Sequence, residues 1–467
     1  MVRTRIAPSP TGIAHIGTAY MALFNYAFAK QNDGEFLVRI EDTDRARFVE
    51  GAEQVIYDAL AWLDIPYKPT FRQSERLPIY QKYAQELVKS GHAYYCFCTP
   101  ERLEKMRADQ QSRKEIPRYD RQCVHLSEAE IQDKLSRNEK HVIRMKMPEN
   151  EVITWDDLIR DRVEINTKEL DDQVIMKSDG FPTYHLAVVI DDHEMQITHI
   201  IRGEEWISST PKHILLYRFL KWEQPFFAHM PLLRNPDKTK MSKRKNDVSI
   251  PSYKEKGYLS QALRNYLCLL GWSHPEEKDI FELNEFIEKF SFERMVKSGP
   301  IFDTAKLNWM NGKYIREEMS TQDLLSALTP FLPSGFPEGL LTKVLPLVKD
   351  RLSVLSDIGP LTTFFHTAPQ LSKESLLWKK TTELEAKEYI AHAVQLLEQV
   401  TDWSAQPMEE MMVSSCDAKA WPRGNFFMTI RLAVTGQTAT PPLFDTIAVL
   451  GKEETLQRLK TGHSLLS

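Results

Sequence analysis

The 467-residue chain carries 60 Lys and Arg against 65 Asp and Glu, a formal net charge of −5, with 42% hydrophobic and 27% charged residues. That length predicts several domains rather than one core, with the ordinary composition of a globular protein. The opening Met1 to Arg5 lacks the apolar segment of a secretory signal, and no apolar run approaches the roughly 18 residues of a membrane span. A cytoplasmic protein with no membrane partner is therefore expected. The acidic balance does not exclude RNA, because affinity follows local phosphate contacts rather than net charge. Arg234 to Asp247 alone holds six basic residues against two acids.

In chain order, Val2 to Ile6 reads as a strand, with Val2, Thr4 and Ile6 alternating with Arg3 and Arg5. A turn rich in Ser, Pro, Thr and Gly follows and contains His15, Ile16, Gly17 and Thr18. Next comes an amphipathic stripe of Tyr20, Leu23, Phe24, Ala27 and Phe28, which predicts a helix ending at Asn32-Asp33-Gly34. Strand, turn and helix N-terminus together form a natural polyphosphate site, since free N–H groups and the positive dipole end converge there. His15 can donate to phosphate oxygens from that turn. A second strand, from Phe36 onward, delivers Glu41, Asp42 and Asp44 at its end. Ala52, Val55, Ile56, Ala59, Leu60 and Leu63 mark another helix that stops near Pro66.

Cys96-Phe97-Cys98 follows Tyr94-Tyr95, read as a strand end, and Cys123-Val124-His125 lies in an Arg-rich loop. Zinc in a structural site takes four Cys, His or oxygen ligands in a tetrahedron, which Cys96, Cys98, Cys123 and His125 can supply. Tyr119 is an oxygen alternative to His125, and three reduced, partly buried thiols are the alternative to a metal site. Five cysteines in such a chain argue against a disulfide framework. Cys268 and Cys416 read as small core residues. Leu186 to Ile190 is expected to be a buried parallel strand, with Asp191-Asp192-His193 at its end. Thr210-Pro211 starts a helix through Ile214, Leu215 and Leu220. Beyond Tyr314 the pattern is helical, as in Leu340-Leu341, Val344-Leu345, Val348 and Leu352, punctuated by Pro330, Pro333, Pro337 and Pro360.

Two signatures, His15-Ile16-Gly17-Thr18 and Lys240-Met241-Ser242-Lys243-Arg244, resemble the paired nucleotide-binding motifs of class I aminoacyl-tRNA synthetases. The resemblance narrows to the glutamyl-tRNA synthetases and covers almost the whole chain. It rests on Arg3 to Gly12, Phe36 to Arg45, Tyr184-His185-Leu186-Ala187, Ile201 to Trp206, and the tail segments Pro442-Leu443-Phe444 and Leu450 to Glu453. It implies an α/β catalytic domain with a Rossmann-type parallel sheet, an α+β insertion, and all-α C-terminal anticodon-binding domains. The expected boundaries are 1–72 plus 185–243 for the split catalytic domain and 73–184 for the inserted domain that grips the acceptor end of tRNA. A helical connective domain follows over 244–313, and the anticodon-binding region over 314–467. A monomer is expected.

The resemblance implies ATP with Mg²⁺, L-glutamate and tRNA(Glu) as substrates, and leaves tRNA(Gln) open as a second tRNA substrate. His15, Lys240 and Lys243 would neutralise charge at the phosphates. Gly17, Glu205, Leu233 and Ser242 complete the ATP side. Arg5, Ala7, Ser9, Glu41, Tyr184 and Arg202 match glutamate-binding positions, with both arginines meeting carboxylates and Glu41 the α-ammonium. Val188 stands where some members have an Asn that touches substrate, a contact Val188 cannot make. Arg351 falls in the stretch where the family reads the third anticodon base. The same C-x-C…C-x-H set binds zinc in some members. A glutaminyl enzyme is disfavoured by the helical tail, and a truncated glutamyl-queuosine-type paralogue by the chain length. A tRNA-binding protein without catalysis is disfavoured by the intact basic residues.

Overall fold

The computed structural model describes residues 1–44, 47–241 and 248–466. The chain forms two compact units, Met1–Lys254 with Ser260–Thr304, and Glu255–Leu259 with Ala305–Ser467.

In the first unit the predicted strand is β1 (Arg3–Ile6), followed by α1 (Ile16–Gln31) and β2 (Glu35–Ile40). The turn between α1 and β2 needs Gly34, where a Cβ would lie 2.2 Å from the Val2 carbonyl oxygen. α2 (Ala52–Trp62) and β3 (Lys68–Arg72) continue the pattern. β1, β2 and β3 pair in parallel in that order. Parallel neighbours require crossover connections, and α1 and α2 supply them.

The intervening segment contains α3 (Leu77–Lys89), β4 (Ala93–Cys96), α4 (Pro100–Ser112), α5 (Glu128–Ser136), β5 (Val142–Met145), β6 (Val152–Asp157), β7 (Asp161–Asn166) and β8 (Val174–Met176). β4, β5 and β8 form an antiparallel sheet. Then come α6 (Tyr184–Glu194), β9 (His199–Gly203), α7 (Thr210–Phe219) and β10 (Phe226–Met230). β9, β10 and β6 pair in parallel, and β7 closes the far edge antiparallel to β6. β1 lies beside β9, where the Thr198 N–H donates to the Arg3 carbonyl oxygen at 3.0 Å.

One expectation is overturned. Leu186–Ile190 is not a strand but the middle of α6, with all five residues buried. A short apolar run cannot separate a buried strand from a helix buried on all sides. The chain returns to the sheet one element later, through β9. Asp191 and Asp192 therefore stand in the last turns of a helix, not at a strand end.

The second unit is helical, with no strand among its described residues. One apolar core gathers Leu324, Leu328, Val344, Leu345, Val348 and Leu352, which carries the pattern read in the sequence. A second gathers Tyr389, Ile390, Ala393, Met412, Phe426 and Ile430, with Cys416 buried among them. No described helix is long and apolar enough to cross a membrane.

Candidate active site

From β1 the chain crosses to β2 on one side, and from β9 to β10 on the other, so the strand order reverses between β1 and β9. Ligands of open α/β sheets bind outside the carboxyl ends of the strands at such a point. A cavity of about 900 Å³ opens there. Its walls bring together Arg5, Ala7, Ser9, His15, Gly17, Glu41, Tyr184, Val188, Arg202, Glu205, Leu233 and Lys240. Ser242 and Lys243 lie outside the described residues.

His15 caps α1, its Nδ1 accepting from the Gly17 N–H at 2.9 Å. In the neutral ring the hydrogen then sits on Nε2. The His15 turn is tied through the backbone to the segment that begins at Val248. The Ile16 N–H donates to the Val248 carbonyl at 2.7 Å, and the Ile250 N–H to the Ala14 carbonyl at 3.0 Å. Lys240 Nζ lies 3.5 Å from Glu205 Oε1 and is largely exposed. The Glu205 carboxylate folds over Gly203 so closely that a Cβ there would sit 1.9 Å from Oε2. Leu233 is buried, with its carbonyl accepting from the Met241 N–H.

Arg5 is buried on β1. Its Nε and Nη2 donate to the two oxygens of Asp192 at 3.0 and 2.8 Å. Arg39, fully buried on β2, reaches Asp192 at 2.7 Å and Glu41 at 3.1 Å. Its Nε stands 3.7 Å from Asp191. Asp191 in turn accepts from Tyr80, Gln73 and Arg76. The Asp192 carboxyl is lowered against the cost of burial by Arg5 and Arg39. Burial pushes Glu41 and Asp191 up, with Arg39 pulling both the other way.

Arg202, on β9, is buried in a different environment. Nη2 donates to Thr210 Oγ1 at 2.8 Å, Nε to His229 Nε2 at 3.1 Å, and Nη1 faces His213 Nδ1 at 3.1 Å. His213 Nε2 lies 3.1 Å from His185 Nδ1. His229 Nδ1 pairs with Asp157. Among the described residues no carboxylate pairs with Arg202, and burial lowers its pKa. Tyr184 stacks on Trp206 with centroids 4.2 Å apart, and buried Val188 adds an apolar wall.

Arg39, Asp191, Asp192, Gln73, His213 and His229 were missed in the sequence. The adjacent acids Asp191-Asp192, closing an apolar run, were the one visible sign of a buried ion pair. The histidines gave none.

In the inserted segment the ligand atoms of Cys96, Cys98 and Cys123 lie within 4.8 Å of one another. Tyr119 Oη is 3.3 Å from both Cys96 Sγ and Cys98 Sγ. Cys98 and Cys123 sulfurs are 3.5 Å apart. His125 does not join this group and is exposed. It shares a 3₁₀ turn, Gln122–His125, with Cys123. At three residues per turn, positions two apart point in different directions, so the buried Cys123 turns His125 outward. A hydrogen bond from Cys123 pulls the Cys96 thiol down, with Tyr119 and Arg144 acting the same way, and Cys123 is pushed up in return.

In the second unit Arg351 ends the short turn Lys349–Arg351 and donates to the Thr440 carbonyl. Arg431 donates to the same loop, at the Thr440 and Pro441 carbonyls.

Residues 1–309 match the family described as tRNA synthetases class I (E and Q), catalytic domain, and residues 323–463 match an anticodon binding domain. The chain belongs to the class I tRNA synthetases of the E and Q type. It is 44% identical to a glutamate–tRNA ligase of Acidothermus cellulolyticus, the alignment covering 99% of this chain and 96% of that protein. It is 43% identical to one of Acinetobacter baumannii, covering 99% and 93%. A crystal structure of a glutamate tRNA ligase from Elizabethkingia meningosepticum, in complex with its amino acid, superposes with a TM-score of 0.87 at 34% identity and covers both chains completely.

Proposed function

We propose that this class I synthetase is a glutamate–tRNA ligase. The observation that carries the reading is Arg202, a buried guanidinium with no carboxylate partner among the described residues, on the wall of a cavity at the reversal point of a parallel sheet. Whole-length similarity to glutamate–tRNA ligases supports it.

In the first step the glutamate α-carboxylate attacks the α-phosphorus of ATP. A new P–O bond forms, the bond to the β-phosphate oxygen breaks, and pyrophosphate leaves; Mg²⁺ accompanying ATP would supply charge neutralisation beside His15, Lys240 and Lys243. In the second step the terminal ribose 2′-OH of tRNA attacks the acyl carbon and AMP leaves. Positioning and charge neutralisation dominate such phosphoryl transfers. His15 is placed to donate from Nε2 to phosphate, and Lys240 adds mobile charge, with Lys243 assigned the same role. Gly17 and Ser242 belong to the same phosphate end, Glu205 and the Leu233 backbone to the ATP side. Arg202 takes the side-chain carboxylate, Arg5 the other carboxylate, and Glu41 the α-ammonium. Ala7, Ser9, Tyr184 and Val188 shape the pocket. Arg202's planar fork suits a carboxylate better than Lys would, and glutamine would leave the buried cation without its anion.

Charging with labelled glutamate on purified tRNA(Glu) and tRNA(Gln), with ATP and Mg²⁺, tests the function. Charging of tRNA(Glu) alone marks a strict enzyme, and charging of both a relaxed one. Charging of neither refutes the reading. Arg351, paired with Arg431 on one loop, is our candidate for contact with the anticodon.

A structural Zn²⁺ fits the inserted segment. Three thiols and a phenol converge at separations close to the ligand–ligand spacing of about 3.8 Å expected for tetrahedral Zn–S bonds. Cys96, Cys98 and Cys123 would hold it, with Tyr119 rather than His125 nearest the fourth position. Metal analysis should find about one zinc per chain, lost in Cys98→Ser and kept in His125→Ala. Loss in His125→Ala would restore the histidine.

A further inference from the structure

A buried arginine can be held by acids or by neutral acceptors, and only the second leaves its whole charge uncompensated before a ligand arrives. Arg202 has donors alone, so each atom it meets must accept. His213 Nδ1 and His229 Nε2 are therefore unprotonated. The His213 hydrogen sits on Nε2 and is donated to His185 Nδ1. The His229 hydrogen sits on Nδ1 and is donated to Asp157. Thr210 Oγ1 accepts from Arg202 and stands 3.1 Å from the Trp206 carbonyl. The nearest acid in this chain of contacts, Asp157, is separated from Arg202 by a whole imidazole. It also accepts backbone N–H groups of Ile159, Arg160 and His229.

We propose that His213 is a specificity-determining positioning residue. As a neutral imidazole 3.1 Å from the guanidinium, it aims Arg202 into the cavity without spending its charge. The substrate's side-chain carboxylate is then the anion that completes the site, which is what makes an acid preferred over its amide. His229 and Thr210 fix the other two nitrogens in the same neutral manner. A carboxylate in any of these places would hold Arg202 equally well in geometry and would abolish the preference.

The inference rests on Arg202 being the receptor of the side-chain carboxylate. The test is a pair of near-isosteric variants, His213→Asn and His213→Asp. The Asn oxygen can replace Nδ1 as a neutral acceptor, whereas the Asp oxygen adds a charge. In tRNA(Glu) charging assays, the KM for glutamate and the Ki for glutamine as competitor are measured for both. The expected result is a glutamate KM about 30-fold higher in His213→Asp than in His213→Asn, with the glutamine Ki values within about threefold, since a charge opposed to the substrate acts on the acid alone. A merely structural role would shift both variants and both amino acids alike, and equal ratios in the two variants overturn the proposal. If thermal unfolding shows the His213 pair to be misfolded, Thr210→Asn and Thr210→Asp pose the same question at the 2.8 Å contact. Arg202→Ala separates the two levels. Unchanged glutamate preference there refutes the receptor assignment itself. Lost preference there, with equal Asn and Asp variants, refutes only the role of His213.

Discussion

Two buried arginines line the same cavity, on strands that run side by side, and their surroundings are opposite. Arg5 shares the bidentate carboxylate of Asp192 with Arg39, and Arg39 also meets Glu41. Arg202 is held by two imidazoles and a hydroxyl. The acid-braced end is a cross-link between β1, β2 and α6, and its charges largely cancel. The imidazole-braced end keeps a net cation. The charge of a guanidinium's partners sets how much of its cation is left for a ligand, little at Arg5 and nearly all at Arg202.

The largest effect expected from this contrast is on stability. Asp192→Ala leaves Arg5 and Arg39 buried without their shared carboxylate, a loss of about 3–5 kcal/mol. Urea unfolding should show the first unit destabilised by that amount, and a change under about 1 kcal/mol would break the distinction.

The histidine end gives the second prediction. Burial, then Lys212 and Arg202, push His185 down to about 4. A base depressed below its unfolded value near 6.5 takes up its proton only on unfolding. Stability is therefore lost as pH falls through 6.5 and stops falling near 4, a total of about 3 kcal/mol at about 1.4 kcal/mol per pH unit. Glu41 and Asp191, raised by burial, act in the opposite direction near the acid end of this window. The difference between wild type and His185→Asn isolates the histidine. The variant should lose less stability between pH 6.5 and 4, and parallel curves would contradict the neutral-imidazole assignment.

The smallest effect is also the most informative about Arg202. Arg202→Met removes a buried cation that no acid among the described residues pairs with, so stability should stay within about 1 kcal/mol of wild type, whereas breaking a true buried ion pair costs several times more. A loss near that of Asp192→Ala would make the two arginines equivalent.

Much of this architecture could be read before any coordinates. β1, the His15 turn, α1 and the Thr210 helix announce themselves by alternation, turn chemistry and helical spacing. α6 did not, because Leu186–Ile190 is buried on every side and periodicity vanishes there. The outward turn of His125 was not legible either, because spacing says nothing about which way a 3₁₀ turn points successive side chains. The pairings behind the cavity were hidden for another reason. Asp192, Arg39, His213 and His229 come from different elements, and only the folded sheet makes them neighbours.

The most direct test of the account is the glutamate-over-glutamine preference of Arg202→Ala in tRNA(Glu) charging, read as glutamate KM against glutamine Ki. The account predicts that the preference collapses by about 10²-fold or more, as expected when a buried polar partner is removed from a discriminating site. A preference unchanged from wild type would contradict it.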